Sequence, residues 1–306
     1  MNHTNLLDLR PLSIGELFDR TFRLFRKHFF VFLGIAVITQ LPTIMLQLLL
    51  VVFSGDLTNP EGFLLTEQPE QLLLPFFLFG IVIAIASLIF TQIGTAAITK
   101  AVSDSYLGRA VSFDGAFRRM GNSWLRLIAA TLMGGLLLVL MFIPVGLIAI
   151  IPCLGILIAI PTFIVLGAVA NIIFSLLPPV VVLENSGTID SLKRAWELGR
   201  KRFWWVFGYL FLLGLLTGII VSGPAALLGF LIPVIIGDIN PITQAIIQQT
   251  VSLVLTAVFL PIRFTAITLM YFDLRIRYEG FDLMILASSD NETDSDLSNL
   301  TGKIGL

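Results

Sequence analysis

The chain has 306 residues, of which 57% are hydrophobic and only 13% are charged, about half the charged share of an ordinary soluble domain. This composition excludes a soluble globular protein and indicates an integral membrane protein. The net charge of −1 conceals a strong segregation of charge along the sequence, and this segregation carries the information on topology.

Residues 13–30, with the sequence SIGELFDRTFRLFRKHFF, are predicted to form a basic amphipathic helix. Ser13 is a candidate N-cap, and Glu16 stands at the position that completes a capping box. Apolar residues recur on one helical face, while most of the charged residues, Arg23 among them, lie on the other faces. The pattern indicates a helix that lies along a membrane interface.

Two similar segments begin downstream, at Ser112 and at Thr188. The second segment has Arg118 among its cations; the third has Arg194 among its cations and Ser191 at the capping-box position. Each of the three segments is followed by enough apolar chain for two membrane crossings. The sequence therefore predicts an all-α polytopic membrane protein with six transmembrane helices, arranged as three repeats of one cytoplasmic amphipathic helix and one transmembrane hairpin.

Six apolar stretches reach or exceed the ~20 residues that cross a bilayer core. They are residues 29–53, 72–99, 127–151, 156–183, 203–222 and 245–272. Gly223 and Pro224 are predicted to end the fifth stretch, which leaves residues 225–236 as an interfacial or a re-entrant segment. The membrane domain is assigned to residues 1–287, and the acidic, Ser- and Asn-rich segment 288–306 is predicted to be disordered.

The Lys and Arg residues predict the orientation. All 19 of them fall within residues 1–28, 100–126, 184–202 and 263–306, whereas the three predicted outer segments contain none. Because Lys and Arg in short flanking segments are retained on the cytoplasmic side, we expect both termini in the cytoplasm. The N-terminal segment lacks the pattern of a cleavable signal, so the first span is expected to remain as an anchor in the bacterial inner membrane.

Two motifs stand near the ends of the membrane domain: RPLSIGELFD at residues 10–19 and YFDLRIRYEGFD at residues 271–282. They resemble the end signatures of a largely uncharacterised prokaryotic membrane family that is labelled after the membrane domain of glycerophosphoryl diester phosphodiesterases. The resemblance implies the same six-span layout. It implies no such activity, because the label comes from proteins with a separate soluble catalytic domain. The soluble parts of this chain are too short for that domain and lack its set of paired histidine and carboxylate residues.

The sequence offers no catalytic residue, no metal site and no cofactor site. Its two histidines, His3 and His28, precede the first span, and Cys153 is its only cysteine. An intramembrane enzyme would need at least two convergent ionisable groups at depth, and the sequence offers only Arg263. We therefore expect a non-enzymatic protein whose partners are membrane lipids, anionic lipids among them, and not nucleic acid; homo-oligomerisation stays open.

Arg263 is the only charged residue within a predicted apolar stretch. It lies ten residues before Asp273, about 15 Å along a helix. If Pro261 ends the span early, Arg263 is an ordinary surface residue. If the helix is continuous, the guanidinium lies near the middle of the ~30 Å core and must face the protein interior or a wet pocket, where it needs an acceptor.

The acceptors at comparable depth are Asn171, Gln92, Gln248 or a carbonyl freed by a proline, and no carboxylate is among them. A lipid or substrate phosphate, bound bidentately by Arg263, is the expected partner in that case. Arg23, Arg118 and Arg194 of the three basic segments are further candidates for binding anionic lipid. Interfacial anchoring explains these three without a ligand, because a basic residue near an anionic surface gains about 1 kcal/mol.

Four charged residues alternate at the end of the sixth stretch. On a helix, Asp273 and Arg277 form one (i, i+4) pair, and Arg275 and Glu279 form another, each worth about 0.2–0.5 kcal/mol. A structural helix end explains this cluster, and docking against the first basic helix is the alternative.

Gly214 and Gly218 have the spacing that lets two membrane helices approach closely. Packing within the monomer is expected, with oligomerisation as the alternative. Taken together, the patterns favour a membrane scaffold or a lipid-interacting factor. A transporter or channel for a lipid-like or small solute is the rival hypothesis, and it requires a polar, water-reachable cavity between the repeats.

Overall fold

The computed structural model of the protein describes residues 12–58, 69–151, 154–237 and 241–280. Within these ranges the regular secondary structure consists of nine α-helices and no strand. The helices are α1 (Ile14–Lys27), α2 (Phe29–Thr58), α3 (Pro69–Tyr106), α4 (Phe113–Met120), α5 (Ser123–Ala149), α6 (Leu154–Glu184), α7 (Thr188–Arg200), α8 (Phe203–Ile236) and α9 (Pro241–Glu279). Six of them, α2, α3, α5, α6, α8 and α9, are long and apolar enough to cross a membrane. The all-helical fold and the number of candidate spans are therefore confirmed.

The short helices α1 and α4 begin at the serines that the sequence indicates. The Ser13 Oγ accepts a hydrogen bond from the Glu16 N–H at 3.4 Å, and the Glu16 Oε2 accepts one from the Ser13 N–H at 2.8 Å. This reciprocal pair is a capping box. The Ser112 Oγ likewise accepts from the Gly115 N–H at 3.1 Å at the start of α4. Each cap satisfies backbone donors that a helix start leaves without partners.

The start of α7 differs from its prediction. Its N-cap is Gly187, and Thr188 is already the first helical residue. The Ser191 Oγ donates to the Gly187 carbonyl at 2.7 Å instead of taking part in a capping box. The predicted cap at Thr188 is therefore wrong by one residue, because an extended glycine begins this helix without a side-chain cap.

One predicted helix end is wrong, and one open alternative is decided. Helix α8 continues through Gly223 and Pro224 to Ile236, so residues 225–236 belong to the same helix. Helix α9 continues through Pro261, which places Arg263 inside a long helix. A proline removes only one backbone hydrogen bond, and neighbouring elements can satisfy the freed carbonyl in a long apolar helix. Residues 59–68, 152–153 and 288–306, on which other predicted turns and the tail fall, lie outside the described residues.

The short helices and one end of each long helix meet at one end of the bundle, which we call the basic end. His28, before α2, lies 3.0 Å from Ser105 near the end of α3, measured between Nε2 and Oγ. Arg126 of α5 donates to the Asn185 carbonyl, just after α6, at 3.0 Å. Tyr278 of α9 donates to the Lys201 carbonyl, in the turn between α7 and α8, at 3.4 Å. These contacts gather the six long helices at this end.

Helix α9 is the centre of the bundle. It packs against α1, α2, α3, α6 and α8. Half of its most apolar window is buried, against 6% of the corresponding window of α8. Every residue from Thr265 to Leu274 is buried, so the core lies on the half of α9 that approaches the basic end.

Close helix contacts depend on glycine in this half of the bundle. Gly199 of α7 lies directly against Ile172 and Leu176 of α6, and Gly94 of α3 lies against Thr39 of α2. Large apolar side chains of the other half are exposed, as in α8, where Phe230 is 70% exposed. The helices are therefore tightly packed toward the basic end and open up away from it.

Candidate functional site

The first described residues are fixed to the last helix by a buried carboxylate. The Leu12 N–H donates to Asp273 Oδ1 at 2.7 Å, and Arg277 Nε donates to Asp273 Oδ2 at 2.8 Å. Arg277 Nη2 also donates to the Leu12 carbonyl at 2.6 Å. Asp273 is only 2% exposed. Its buried charge is neutralised by Arg277, and both carboxylate oxygens accept a hydrogen bond. The (i, i+4) pair is present, and it docks the chain segment that precedes α1.

A second polar cluster joins α6, α7 and α9. Arg194 Nε donates to Glu184 Oε2 at 2.9 Å, and its Nη2 lies 2.6 Å from Glu279 Oε1. Arg275 Nε donates to Glu279 Oε2 at 3.0 Å, and the Tyr271 hydroxyl donates to Glu184 Oε1 at 2.8 Å. Burial works against the charge of Arg194, but the bonds and charges of the two glutamates raise its pKa above the ordinary value. The Arg194 guanidinium is thus occupied within the protein and is not available to a lipid.

Asp104 is a third anchor, which sequence reasoning missed. Its carboxylate lies 3.0 Å from Arg119 of α4 and 3.9 Å from Arg109, and the side chain is 4% exposed. The contact fixes α4 against the end of α3. The signal in the sequence is a single acid placed between Lys100 and Arg109 at the end of an apolar stretch.

Arg23 and Arg118 lie on the outer surface of the basic end. Arg23 lines a shallow groove on α1 with Phe22, Arg26 and Lys27. Arg118 is 80% exposed and lies 3.6 Å from the equally exposed Asp114. The structure does not bring either residue to Arg263.

A cavity of about 350 Å³ lies between α6, α8 and α9. Its lining has six polar side chains, namely Asn171, Ser175, Thr217, Ser222, Thr256 and Arg263. The structure therefore brings together two residues, Arg263 and Asn171, that the sequence proposes separately. The remaining lining is apolar or glycine.

Arg263 faces this cavity from the central helix. Its side chain is accessible, and within the described residues its guanidinium makes no hydrogen bond or ion pair. Of the other predicted acceptors, Gln92 donates to Thr131 at 3.0 Å, and Gln248 packs against Gly229 of α8. Neither lines the cavity, so Asn171 is the one predicted acceptor that shares it.

Gly214 and Gly218 of α8 also line the cavity. A Cβ atom built on either residue would meet no atom within 4 Å, the helix's own nearby backbone aside. The prediction that this pair packs against another helix of the monomer is therefore wrong for the described part of the chain. Because the two positions lack side chains, they enlarge the space in front of Arg263.

The chemistry of the cavity suits an anion. The guanidinium presents several N–H donors in a plane, a geometry that matches phosphate or carboxylate oxygens. Asn171 and the hydroxyls of the lining can complete a polar shell. No group of three or more His, Cys, Asp or Glu residues that could hold a metal ion occurs within the described ranges.

Comparisons with known proteins place the chain in a family without an assigned activity. No curated protein and no solved structure matches the chain. A family model does match, and its limits fall inside the two end motifs, at residues that the structure brings together around Asp273. The match covers residues 12–274, and the chain belongs to the family described as "Domain of unknown function (DUF7847)".

Proposed function

We propose that the protein is a non-enzymatic, multi-pass protein of the bacterial inner membrane that binds an anionic lipid in the cavity between α6, α8 and α9. The observation that carries the proposal is Arg263, whose guanidinium lines a cavity within a candidate membrane span and has no protein partner among the described residues. A charge on a membrane helix costs about 2.5–3.5 kcal/mol on insertion scales. An anionic ligand would offset that cost.

The proposal includes an orientation. The nine described helices follow the order of one short and two long helices three times, which supports three repeats of an interfacial helix and a hairpin. Almost all described Lys and Arg residues lie at the basic end, and the rule for retained positive charge assigns that end to the cytoplasm. In this orientation Arg263 lies about 15 Å below Asp273, in the half of the bilayer nearer the cytoplasm or at its middle.

Lipid retention tests the anion site. The full-length protein is to be extracted in mild detergent and its bound lipids measured by native mass spectrometry after mixing with phosphatidylglycerol or phosphatidylcholine. The wild type should retain phosphatidylglycerol preferentially. Arg263→Leu should lose that preference, by about tenfold or more if a charged hydrogen-bonded contact is removed.

The matched control is Arg118→Leu, which removes an exposed cation at the basic end and should keep the preference. Thermal unfolding should show that Arg263→Leu is as stable as the wild type, because no protein contact of the guanidinium is lost. An unchanged preference in Arg263→Leu contradicts the proposed function.

Cysteine labelling tests the orientation. In a Cys153→Ala background, a cysteine at Thr66 should react with an impermeant maleimide added to intact cells, whereas one at Ser295 should react only after lysis. Labelling of the second position from outside would reverse the proposed topology.

A lipid-like or small-solute transporter is the second candidate. The polar lining of the cavity favours it, because the rival hypothesis requires a polar space between helices. Proteoliposomes with a fluorescent anionic lipid distinguish the two: a transporter should exchange the lipid between leaflets in an Arg263-dependent manner, and a binding protein should not.

A further inference from the structure

We propose that one hydrocarbon chain of the bound lipid leaves the cavity sideways, between α6 and α8, and lies across Gly214 and Gly218. This inference rests on the proposed anion site at Arg263 and adds where the rest of the ligand lies. It defines the ligand as an amphiphile with an anionic headgroup, rather than a free phosphate.

A groove next to the cavity carries the argument. The groove has a volume of about 450 Å³ and shares four lining residues with the cavity, namely Asn171, Leu210, Gly214 and Gly218. A ligand that contacts Arg263 can therefore extend into the groove without crossing a wall of side chains.

Polarity falls along this path. The cavity has Arg263 and Thr256 on its α9 side. The lining of the groove is apolar or glycine apart from Asn171, and it includes Phe211, Leu215 and Ile219. Two of these are strongly exposed, Phe211 by 56% and Ile219 by 70%. A charged end followed by an apolar path matches an amphiphile placed head-first against Arg263.

A free anion does not match the groove. A phosphate ion bound at Arg263 would not reach into the groove. Only water could then fill it, and water fills apolar space poorly. Helix α8 presents exposed apolar side chains along this path, and in a membrane such surfaces are covered by hydrocarbon chains.

The two glycines set the width of the path. Both lack neighbouring atoms within 4 Å of a would-be Cβ, so the space above them is open rather than filled by another helix. The first atom of a side chain at either position meets no protein atom within 4 Å, so a leucine there starts in open space. The substitution should therefore block a chain and leave the fold intact.

Photocrosslinking tests the inference on the full-length protein in nanodiscs that contain phosphatidylglycerol with a diazirine in one acyl chain. In the wild type, the crosslinked peptides should include residues 211–219 of α8. Gly218→Leu should reduce this crosslink several-fold below the wild-type level, to the background that the surrounding bulk lipid gives on the exposed side chains of α8. Gly208→Leu is the matched control: it is the same change on the same helix, also at a position with free space, but outside both linings.

Gly214→Leu provides a second blocking variant if the first does not fold. An excess of inorganic phosphate should not displace the lipid from the wild type. Displacement by phosphate, or a crosslink that persists unchanged in the folded blocking variants, would overturn the chain path. The proposed function would survive either result as long as retention of phosphatidylglycerol still requires Arg263, so the two proposals can fail separately.

Discussion

Arg277 and Arg263 lie on the same helix, α9, but their guanidinium groups differ in whether they contact other protein groups. Arg277 donates to the buried Asp273 carboxylate and to the Leu12 carbonyl. Arg263 has neither a hydrogen bond nor an ion pair among the described residues. Charge at the basic end therefore holds the chain together, whereas the charge of Arg263 has no partner among the described residues.

The glycines of the two regions differ in the same sense. A Cβ on Gly199, at the basic end, would overlap Ile172 Cγ2, while one on Gly218, at the cavity, would meet nothing within 4 Å. The first glycine permits close packing, and the second leaves space. We therefore expect substitutions at the basic end to cost the fold more than substitutions at the cavity.

The largest expected effect comes from Asp273→Asn. The change should destabilise the protein by about 3 kcal/mol, since the charge of Arg277 loses its partner and the buried Leu12 N–H loses a charged acceptor. Thermal unfolding in detergent, followed by tryptophan fluorescence, measures the loss. Asp114→Asn removes a pair of the same spacing with both side chains exposed and should cost less than about 1 kcal/mol. Equal effects of the two changes would remove the distinction between the regions.

Glu184→Gln should have the next largest effect. The side chain accepts hydrogen bonds from Arg194 and Tyr271 across three helices. Loss of its charge should cost about 1–3 kcal/mol, because Glu279 still pairs with Arg194. Glu197→Gln, on the exposed face of α7, is the control and should unfold like the wild type.

The glycine contrast predicts effects on stability that differ in direction at its two positions. Gly199→Ala should destabilise by about 1–3 kcal/mol, because the added methyl group forces Ile172 to move. Gly218→Ala should be neutral or stabilising by up to about 1 kcal/mol, since alanine favours the helix and meets no neighbour. Unfolding in the same detergent compares them, and a destabilised Gly218→Ala would show that this surface is packed after all.

The smallest effect concerns pH. Burial, together with the charge of Lys27, lowers the pKa of His28 below its ordinary value of 6.5. The unfolded chain therefore binds the proton first as the pH falls through 6.5, and the stability decreases on acidification until the folded protein also binds it. The wild type should lose more stability between neutral and mildly acidic pH than His28→Gln. Parallel losses in both proteins would assign the dependence to other groups.

The six candidate spans were predictable because each depends on local composition. A predominantly apolar run of about 20 residues or more has few alternatives to a membrane helix. The capping box at Ser13 and the pair of Asp273 and Arg277 were also predictable, because their partners stand three and four residues apart. Local spacing fixes such contacts before any tertiary packing forms.

Packing between distant helices was not predictable from the same patterns. Nothing in the sequence places Asn171 beside Arg263, and a GxxxG-type spacing does not tell whether Gly214 and Gly218 face a helix or a cavity. The composition of α9 could have predicted its central position, because this helix is rich in Thr and Gln for its length. Polar side chains of this kind are better satisfied inside a bundle than against lipid. Pro224 of α8 misled the prediction of a helix end because tertiary contacts outweigh one lost hydrogen bond.

The central position of α9 has a consequence for biogenesis. Of the described helices, α9 is the last to leave the ribosome, so the five earlier candidate spans are made before the helix that fills their centre. The Leu12 N–H and Asp273 are 261 residues apart in sequence, and their bond cannot form until nearly the whole described chain has been made. Packing of the bundle is therefore completed by α9, the last described helix. A nascent chain that stalls before α9 has helices whose inward-facing sides remain unpacked, and such chains are prone to misassembly.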